Sequence, residues 1–249
     1  MSASRWINVA AFLRLSRTYR RAILNTWLHN WEHQVHGIVL DVGGEKYNPV
    51  RYTVKGDAAV QKWLYLNINP AVAPDIVADG ANIPMMAASI DTVICLETLE
   101  HVDDPQQVMG EISRVLRPDG VLLLSIPFLY RVHSRPNDFW RFTEYQARRI
   151  VKSAGLEIVH MEYLGLLFTV LCDMIKQAIS EIRLSGLRWL LGSLFLPVAA
   201  LLVSLERLGL GKHSPALTSF TTGYLVLAVK TDKQQNTPDS RQSVEEHER

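Results

Sequence analysis

The feature that most constrains the fold is a set of short apolar runs separated by segments of helical periodicity. The run Val121–Ile126 is apolar at nearly every position, as expected of a strand that is buried on both faces. Pro105–Leu116 carries apolar residues at helical spacing, and Thr143 is suited to cap a helix that runs to Ala154. The other runs typical of strands are Ile38–Val42, Trp63–Ile68, Asp75–Ala78, Ile90–Leu96, Leu156–Tyr163 and Gly223–Val229.

This alternation predicts an α/β fold with helices on both faces of a parallel sheet. The expected architecture is a Rossmann-like, doubly wound, mostly parallel seven-stranded sheet with an N-terminal helix and a helical hydrophobic insertion between the last two strands. The chain of 249 residues is long enough for one such domain with additions. The predicted parts are a basic amphipathic helix at 1–36, the α/β domain at 37–164 and 221–230, the insertion at 165–220, and a disordered tail at 231–249.

Charge and cysteine content exclude several classes of partner. The formal net charge is +1, and this near balance argues against a nucleic-acid partner, because phosphate contacts need a basic surplus. The two cysteines, Cys95 and Cys172, form no CxxC or Cys/His pattern, so we expect no metal site and a reducing, cytoplasmic location. Arg14 interrupts the apolar run Val9–Leu13, which argues against a signal peptide.

Glycine and polar residues follow the first three predicted strands. Ligands of doubly wound sheets bind beyond the carboxyl ends of the strands, so these residues should share one crevice. Asp41 precedes Gly43 and Gly44, where a glycine turn lets the backbone approach a ligand and the carboxylate can hold an amine or a ribose hydroxyl. Asn67 could bond a ribose and Asp79 an exocyclic amine. The alternative is that these residues only form turns.

The order of motifs is more specific than any one of them. DVGG, NIN, ADGANIP, LETLEHV and RVLRPDG follow one another between strands over about residues 38–163. This order resembles the class I S-adenosylmethionine (SAM)-dependent methyltransferases, in particular the broad type 11 methyltransferase domain. The resemblance implies SAM as the cofactor, with Asp41, Gly43 and Gly44 near its methionyl part. It further places Asn67 at the ribose, Asp79 at the adenine and Glu97 on the floor of the cofactor site.

The sequence departs from the family pattern at two points. Glu45 and Tyr47 stand where the family loop has further glycines, and Asn67 replaces the usual acidic ribose ligand. Both changes are expected to weaken SAM binding. They support the alternative of a non-catalytic methyltransferase-like scaffold or binding protein.

The segment Pro127–Thr143 is expected to overhang the transferable methyl group, because it follows the fifth strand. A similar H-x(4)-D-[FY]-W-R-[FY]-T string occurs in a bacterial subset of these methyltransferases, often in glycan-related settings. His133 is the candidate base, because histidine titrates in the required range, and Asp138 is its candidate orienter. Arg131, Arg135 or Arg141 could grip an anionic substrate. Alternatively, Asp138, Trp140 and Arg141 pin the loop by hydrogen bonds and cap the next helix.

The insertion contains two apolar helical stretches, Leu166–Ile182 and Leu187–Leu208. Three alternatives remain for them: a buried core helix or lid, a membrane-surface or re-entrant element, and a transmembrane span, which needs about 20 apolar residues. Strands six and seven meet the insertion at the cofactor edge of the sheet, so it should emerge beside the site. The basic N-terminal helix suits either an anionic membrane surface or the face of the sheet.

Together these features predict a SAM-dependent methyltransferase acting on an unidentified acceptor, either a small molecule, a glycan or a lipid-linked molecule. Its expected location is the cytoplasm, with contact to the inner face of the membrane as a further hypothesis. An NAD-linked oxidoreductase is disfavoured, because it would need GxGxxG in the first loop.

Overall fold

The sheet has the predicted doubly wound topology. The computed structural model describes residues 18–46, 59–209, 211 and 213–231. Within these ranges the strand order is β3-β2-β1-β4-β5-β7-β6; β1 to β5 pair in parallel and β7 is antiparallel to both neighbours. The strands are β1 Gly37–Val42, β2 Val60–Asn67, β3 Ile76–Val77, β4 Ile90–Leu96, β5 Leu116–Pro127, β6 Leu156–Tyr163 and β7 Gly223–Lys230.

The described helices begin and end close to the predicted positions. Thr143 caps its helix as predicted, since its hydroxyl accepts a hydrogen bond from Gln146 N. Asp104 caps another by accepting from the backbone of Gln106 and Gln107. The α-helices are α1 Tyr19–Asn30, α2 Pro105–Val115, α3 Glu144–Ser153, α4 Leu167–Ser180, α5 Ser185–Arg207 and α6 Pro215–Thr218, and short 3-10 helices span Glu32–Gln34, Pro70–Val72 and Leu99–His101.

The two faces of the sheet are covered by different helices. On one face, α1 buries apolar side chains such as Leu24 and Leu28 against Ile94 and Leu123. On the other face, α2 and α3 pack residues such as Ile112 onto the opposite sides of β4 and β5. Burial on both faces explains why the central strands are apolar at nearly every position.

Several sequence-based boundaries change. The helix predicted over 1–36 is α1 in its described part and ends at Asn30, and residues 1–17 lie outside the described ranges. Strand β5 begins earlier than the predicted run Val121–Ile126: Leu116 already pairs with Ile90, and Arg117–Gly120 form a bulge before Val121 pairs with Thr92. Tyr47 and residues 232–249 of the predicted tail also lie outside the described part of the chain.

The insertion is a hairpin of α4 and α5 that packs on α1. Ala199 and Val203 of α5 are buried against Cys172 of α4 and Tyr19 of α1. Glu206, near the end of α5, is 3% exposed, and its side chain contacts the start of α4. Its carboxylate accepts hydrogen bonds from Leu166 N, Phe168 N, Thr169 N and the Thr169 hydroxyl. One carboxylate therefore satisfies the first amides of α4 and holds the hairpin together.

Replacing Glu206 by alanine should destabilise the protein by about 2–4 kcal/mol, because it leaves buried donors without an acceptor. Urea unfolding followed by circular dichroism measures this difference. Glu181→Ala is the matched control, since Glu181 is exposed at the end of α4, the other helix of the hairpin, and its loss should change stability by less than about 0.5 kcal/mol. Equal unfolding free energies for the two variants would contradict the assigned role of Glu206.

Candidate active site

A cavity of about 810 Å³ lies at the carboxyl edge of the parallel strands. Its walls come from the loops after β1, β2, β3 and β4, from the loop after β5, and from Arg21 of α1. Pockets that hold cofactors and drug-sized ligands span about 300–1,000 Å³. The loops that the sequence analysis assigned to the site therefore meet around one space of suitable size.

The glycine turn after β1 leaves no room for side chains. Gly43 has φ +74°, and a Cβ added there would lie 2.5 Å from the Thr98 hydroxyl. A Cβ on Gly44 would lie 2.6 Å from Cγ of Asp41. The Thr98 hydroxyl also donates to the carbonyl of Val42. The turn is thus pressed between β1 and the segment after β4, and its bare backbone forms the cavity wall at Gly43.

Asn67 and Asp79 both line the cavity, as predicted. The Asn67 amide donates to the carbonyls of Gly43 and Gly44 at 3.2 and 3.1 Å, so Asn67 holds the glycine turn in place. Its predicted contact with a ribose stays a prediction. Asp79 accepts from Ala81 N through one oxygen, and its other oxygen makes no hydrogen bond within the described residues.

Glu97 is paired with an arginine that the sequence analysis did not connect to the site. Arg20 of α1 is 3% exposed, and both of its terminal nitrogens donate to the Glu97 carboxylate, one of them at 2.6 Å. The Ser125 hydroxyl donates to the same carboxylate at 2.7 Å. Burial opposes ionisation of Glu97, but the Arg20 charge and these hydrogen bonds lower its pKa below the usual range. Glu97 is therefore a charged floor residue whose charge is neutralised from α1.

The loop after β5 closes the cavity on the side opposite Asp79. His133 lines the cavity, and its Nδ1 lies 3.3 Å from Asp138 Oδ2. Asp138 also accepts from His133 N and twice from Arg141, and these Arg141 contacts lower the pKa of Asp138. Burial lowers the pKa of His133, so its imidazole is neutral near pH 7. The predicted pairing of His133 with Asp138 is present in the structure.

Trp140 and Arg141 hold this loop rather than face the cavity. Trp140 Nε1 donates to the Val102 carbonyl at 2.9 Å. Arg141 donates to the carbonyls of Tyr130 and Arg131 besides binding Asp138. The alternative in which these two residues pin the loop agrees with these contacts, whereas Arg131 and Arg135 are exposed.

Two residues of the LEHV motif contribute more than the sequence suggested. Glu100 is fully buried beneath the loop, and His101 lines the cavity beside His133, with ring centroids 4.8 Å apart. Neither residue was assigned to the site from the sequence. Their position directly after the strand-four motif was the available signal, because residues that follow parallel strands face the ligand edge.

The sequence-predicted residues fall into two groups. Gly43, Asn67, Asp79, Glu97 and His133 line the cavity, whereas Asp41, Gly44 and Asp138 lie behind its wall and support it. The bare turn at Gly43 and the acceptor oxygen of Asp79 fit a ligand with a polar tail at one end and an amine-bearing ring at the other. SAM has both.

Comparison with known proteins agrees with this geometry. The family model described as a methyltransferase domain matches residues 55–124. The ubiquinone biosynthesis O-methyltransferase of Haemophilus ducreyi is 51% identical over 39 residues, which are 16% of each chain. The human thiol S-methyltransferase TMT1B is 37% identical over 68 residues, covering 27% of this chain and 26% of that protein. The chain thus spans less than a fifth of the first curated relatives, at 18%, 16% and 17% of their lengths.

Solved structures share the fold over most of the chain. The [4+2]-cyclase SpnF matches with a TM-score of 0.54 and 16% identity, over 88% of this chain and 84% of that one. The phosphoethanolamine N-methyltransferase 2 of Haemonchus contortus, solved with SAM, matches with a TM-score of 0.50 and 15% identity, over 84% of this chain and 52% of that one. The strand order, the motifs at the ligand edge and the match to a methyltransferase domain over residues 55–124 together show that this part of the chain is similar to class I SAM-dependent methyltransferases, with SAM as the cofactor that the similarity supports.

Proposed function

We propose that this protein is an active SAM-dependent methyltransferase. The observation that carries the proposal is one cavity with the side-chain-free glycine turn and Asp79 on one side and the His133 loop on the other. The first side suits the cofactor and the second suits an acceptor. The non-catalytic scaffold remains the rival, and SAM affinity separates the two.

SAM would supply a methyl group on a sulfonium sulfur: the acceptor forms a bond to the methyl carbon, the carbon–sulfur bond breaks, S-adenosylhomocysteine leaves and the acceptor's proton passes to a base. The protein's contribution is chiefly to place the two reactants in line. The Gly43 turn would hold the methionyl end, and Asp79 would accept from the adenine amine. His133, neutral and oriented by Asp138, is the group of the loop that can take a proton from an acceptor hydroxyl. We therefore expect oxygen as the acceptor atom.

The hairpin of α4 and α5 supports a lipid-linked acceptor. Its two ends join the start of the loop after β5, since Phe128 N and Leu129 N donate to Thr222 and Thr221, and the Thr222 hydroxyl donates to Leu164. The insertion thus emerges beside the acceptor side of the cavity. Within the described ranges, α5 is the helix that is long and apolar enough to cross a membrane by length and composition.

The exposed face of the hairpin suits a membrane surface. Among the residues that the structure describes, α5 packs on protein through one face, with residues such as Leu196, Ala199 and Val203. Apolar side chains also cover its outer face, where Trp189 is 73% exposed. A helix that is apolar on both faces needs a second apolar environment. Exposed apolar side chains of the hairpin are Leu171, Met174, Ile175, Leu184, Leu187, Trp189, Leu190, Leu194, Val198, Leu201, Leu205 and Leu208.

Charge decides between kinds of apolar partner. Arg183 and Arg188 are exposed at the start of α5, directly beside Leu184 and Trp189. Arginine next to interfacial tryptophan favours an anionic lipid surface. We therefore place the protein at the inner face of the cytoplasmic membrane, with the hairpin in the lipid interface and the cavity facing a lipid-linked acceptor.

Calorimetric titration of the full chain with SAM is the first test, with Asp79→Asn as the variant. Wild type should bind with micromolar affinity. In the variant, the single side-chain oxygen is kept by Ala81 N, so the amide NH2 faces the adenine amine, and losing one hydrogen bond to a charged group should weaken binding about ten-fold or more. Asp119→Asn is the matched control, because Asp119 is exposed in the β5 bulge and asparagine tolerates its φ of +61°. No binding to folded wild type at millimolar SAM would favour the scaffold.

Gly43→Ala tests the glycine turn separately. The added methyl group would collide with Thr98 and require a strained φ, so SAM binding should be lost in the same titration. The matched control is Gly110→Ala on the exposed side of α2, where a Cβ meets nothing within 4 Å. This control should keep SAM affinity and gain about 0.5–1 kcal/mol of stability. Normal SAM affinity in Gly43→Ala would exclude the turn from the cofactor site.

Vesicle co-sedimentation tests the membrane contact. Wild type should sediment with vesicles of phosphatidylcholine and phosphatidylglycerol, and less with phosphatidylcholine alone, because the attraction includes the arginine charge. Trp189→Ser should reduce sedimentation several-fold. The matched control is Tyr145→Ser, which also replaces an exposed aromatic residue by serine but lies on α3, and it should leave sedimentation unchanged. Wild-type protein that stays in the supernatant with both kinds of vesicle would refute the contact.

A further inference from the structure

A buried carboxylate behind the cavity wall accepts no hydrogen bond from the residues that the structure describes. The Glu100 side chain is 0% exposed, and neither of its oxygens accepts a hydrogen bond within the described residues. Its backbone carbonyl, in contrast, accepts from Phe139 N and Trp140 N, which fixes the residue beneath the loop after β5. Burying a carboxylate without a partner is costly, so proteins normally supply a hydrogen bond, a positive charge or a metal ion.

Two histidines present ring nitrogens to this carboxylate. His101 Nε2 and His133 Nε2 each lie 3.8 Å from Glu100 Oε1. The candidate ligand atoms of the three residues all lie within 4.8 Å of one another. A distance of 3.8 Å is too long for a hydrogen bond, which needs about 2.7–3.2 Å. Two ligands of a tetrahedral ion with bonds of about 2.1 Å lie about 3.4 Å apart, so a small closure brings all three to binding distance.

In both histidines, the contacts of Nδ1 determine that Nε2 carries the lone pair. His101 Nδ1 lies 2.5 Å from the Asn137 carbonyl, which can only accept, so Nδ1 carries the hydrogen. His133 Nδ1 lies 3.3 Å from both the Arg131 carbonyl and Asp138, and these are also acceptors. Both Nε2 atoms are then left with lone pairs directed toward Glu100. Histidine ligands of metal ions are typically oriented by such carbonyl or carboxylate contacts.

A proton between Glu100 and one histidine would satisfy only one of these lone pairs, whereas a cation satisfies all three groups. We propose that Glu100, His101 and His133 bind a divalent transition-metal ion at the acceptor side of the cavity. Two imidazoles and one carboxylate suit Zn²⁺ and its neighbours, and disfavour Mg²⁺ and Ca²⁺, which prefer oxygen. This reverses the expectation from the sequence, where no metal-ligand spacing is visible because Glu100 and His133 are far apart in the chain.

The site has an open position that faces the cavity. The side chains of His101 and His133 are 24% and 25% exposed and both line the cavity, whereas Glu100 lies behind them. Three protein ligands with an open fourth position are typical of metal sites that hold a substrate or water. Metal binding itself is independent of the proposed function. Its role rests on that function: the ion would coordinate the acceptor oxygen, and His133 would then be a ligand, so that the acceptor's proton passes to solvent water instead.

The test is calorimetric titration of chelator-treated full chain with ZnCl₂ in the absence of SAM, repeated with MgCl₂. One equivalent of Zn²⁺ should bind with micromolar or tighter affinity, and Mg²⁺ should bind far more weakly. His101→Gln should weaken Zn²⁺ binding about ten-fold or more, as should Glu100→Gln. The matched control is His29→Gln, which removes an exposed histidine that lies 3.0 Å from Glu32. It should leave Zn²⁺ affinity unchanged.

Co²⁺ titration gives a spectroscopic signal that depends on metal coordination and would not change if His101 had only a structural role. Binding at this site should produce visible absorption bands of low-symmetry coordination by nitrogen and oxygen, and His101→Gln should remove them while circular dichroism shows a folded chain. His101 is the safer variant, since its side chain is partly exposed and Glu100→Gln could impair folding. Wild-type affinity in folded His101→Gln, or equal loss in His29→Gln, would overturn the proposal and leave His133 as a base. Neither result depends on whether SAM binds.

Discussion

Two carboxylates three residues apart, that of Glu97 with 13% of its side chain exposed and the fully buried one of Glu100, are the constraint around which the ligand edge of this protein is organised. Like charges in a buried site oppose each other, and burial together with the charge of Glu97 raises the pKa of Glu100 well above its usual value. Arg20 neutralises Glu97 with two hydrogen bonds, and removing one member of such a buried pair typically costs about 3–5 kcal/mol. Helix α1 is therefore linked to the cavity floor by the Arg20–Glu97 pair. Two histidines, His101 and His133, lie beside Glu100.

The same contacts connect the insertion to the site. Asp173 of α4 accepts from Tyr19 N and Arg20 N, so the hairpin holds the first residues of α1, and α1 in turn places Arg20 on Glu97. Burial raises the pKa of Asp173 to about 6, which shows how far these groups lie from water. These hydrogen bonds connect the hairpin to the cavity floor without a break. A hairpin that entered a lipid surface would thus hold the cavity close to that surface. This arrangement supports a role for the insertion beyond packing, because its outer face remains apolar and exposed.

Residues differ in how far the sequence predicts their place in the structure. Ile90–Leu96 and the Thr143 cap were predictable, because strand burial and capping depend on residues close together in the chain. The positions of Gly43 and Asp79 were also predictable, since parallel strands bring their following residues to one edge. The role of Arg20 was not, because Arg20 and Glu97 are 77 residues apart and an arginine on a predicted amphipathic helix is ordinarily solvated. The sequence left two roles open for Arg141, binding an anionic substrate or holding the loop together with Trp140. Only the distances in the structure distinguish these roles.

The sequence by itself determined the alternation of strands and helices, the glycine turn and the similarity to methyltransferases, because side-chain periodicity and backbone φ depend on residues within short segments. The tertiary structure decided which polar groups share a buried environment. It brought Arg20 to Glu97, and it placed His101 and His133 beside the buried carboxylate of Glu100. It also decided which face of α5 is covered by protein and which is left exposed. Charge compensation and burial act between segments that are distant in the chain, so no local pattern records them.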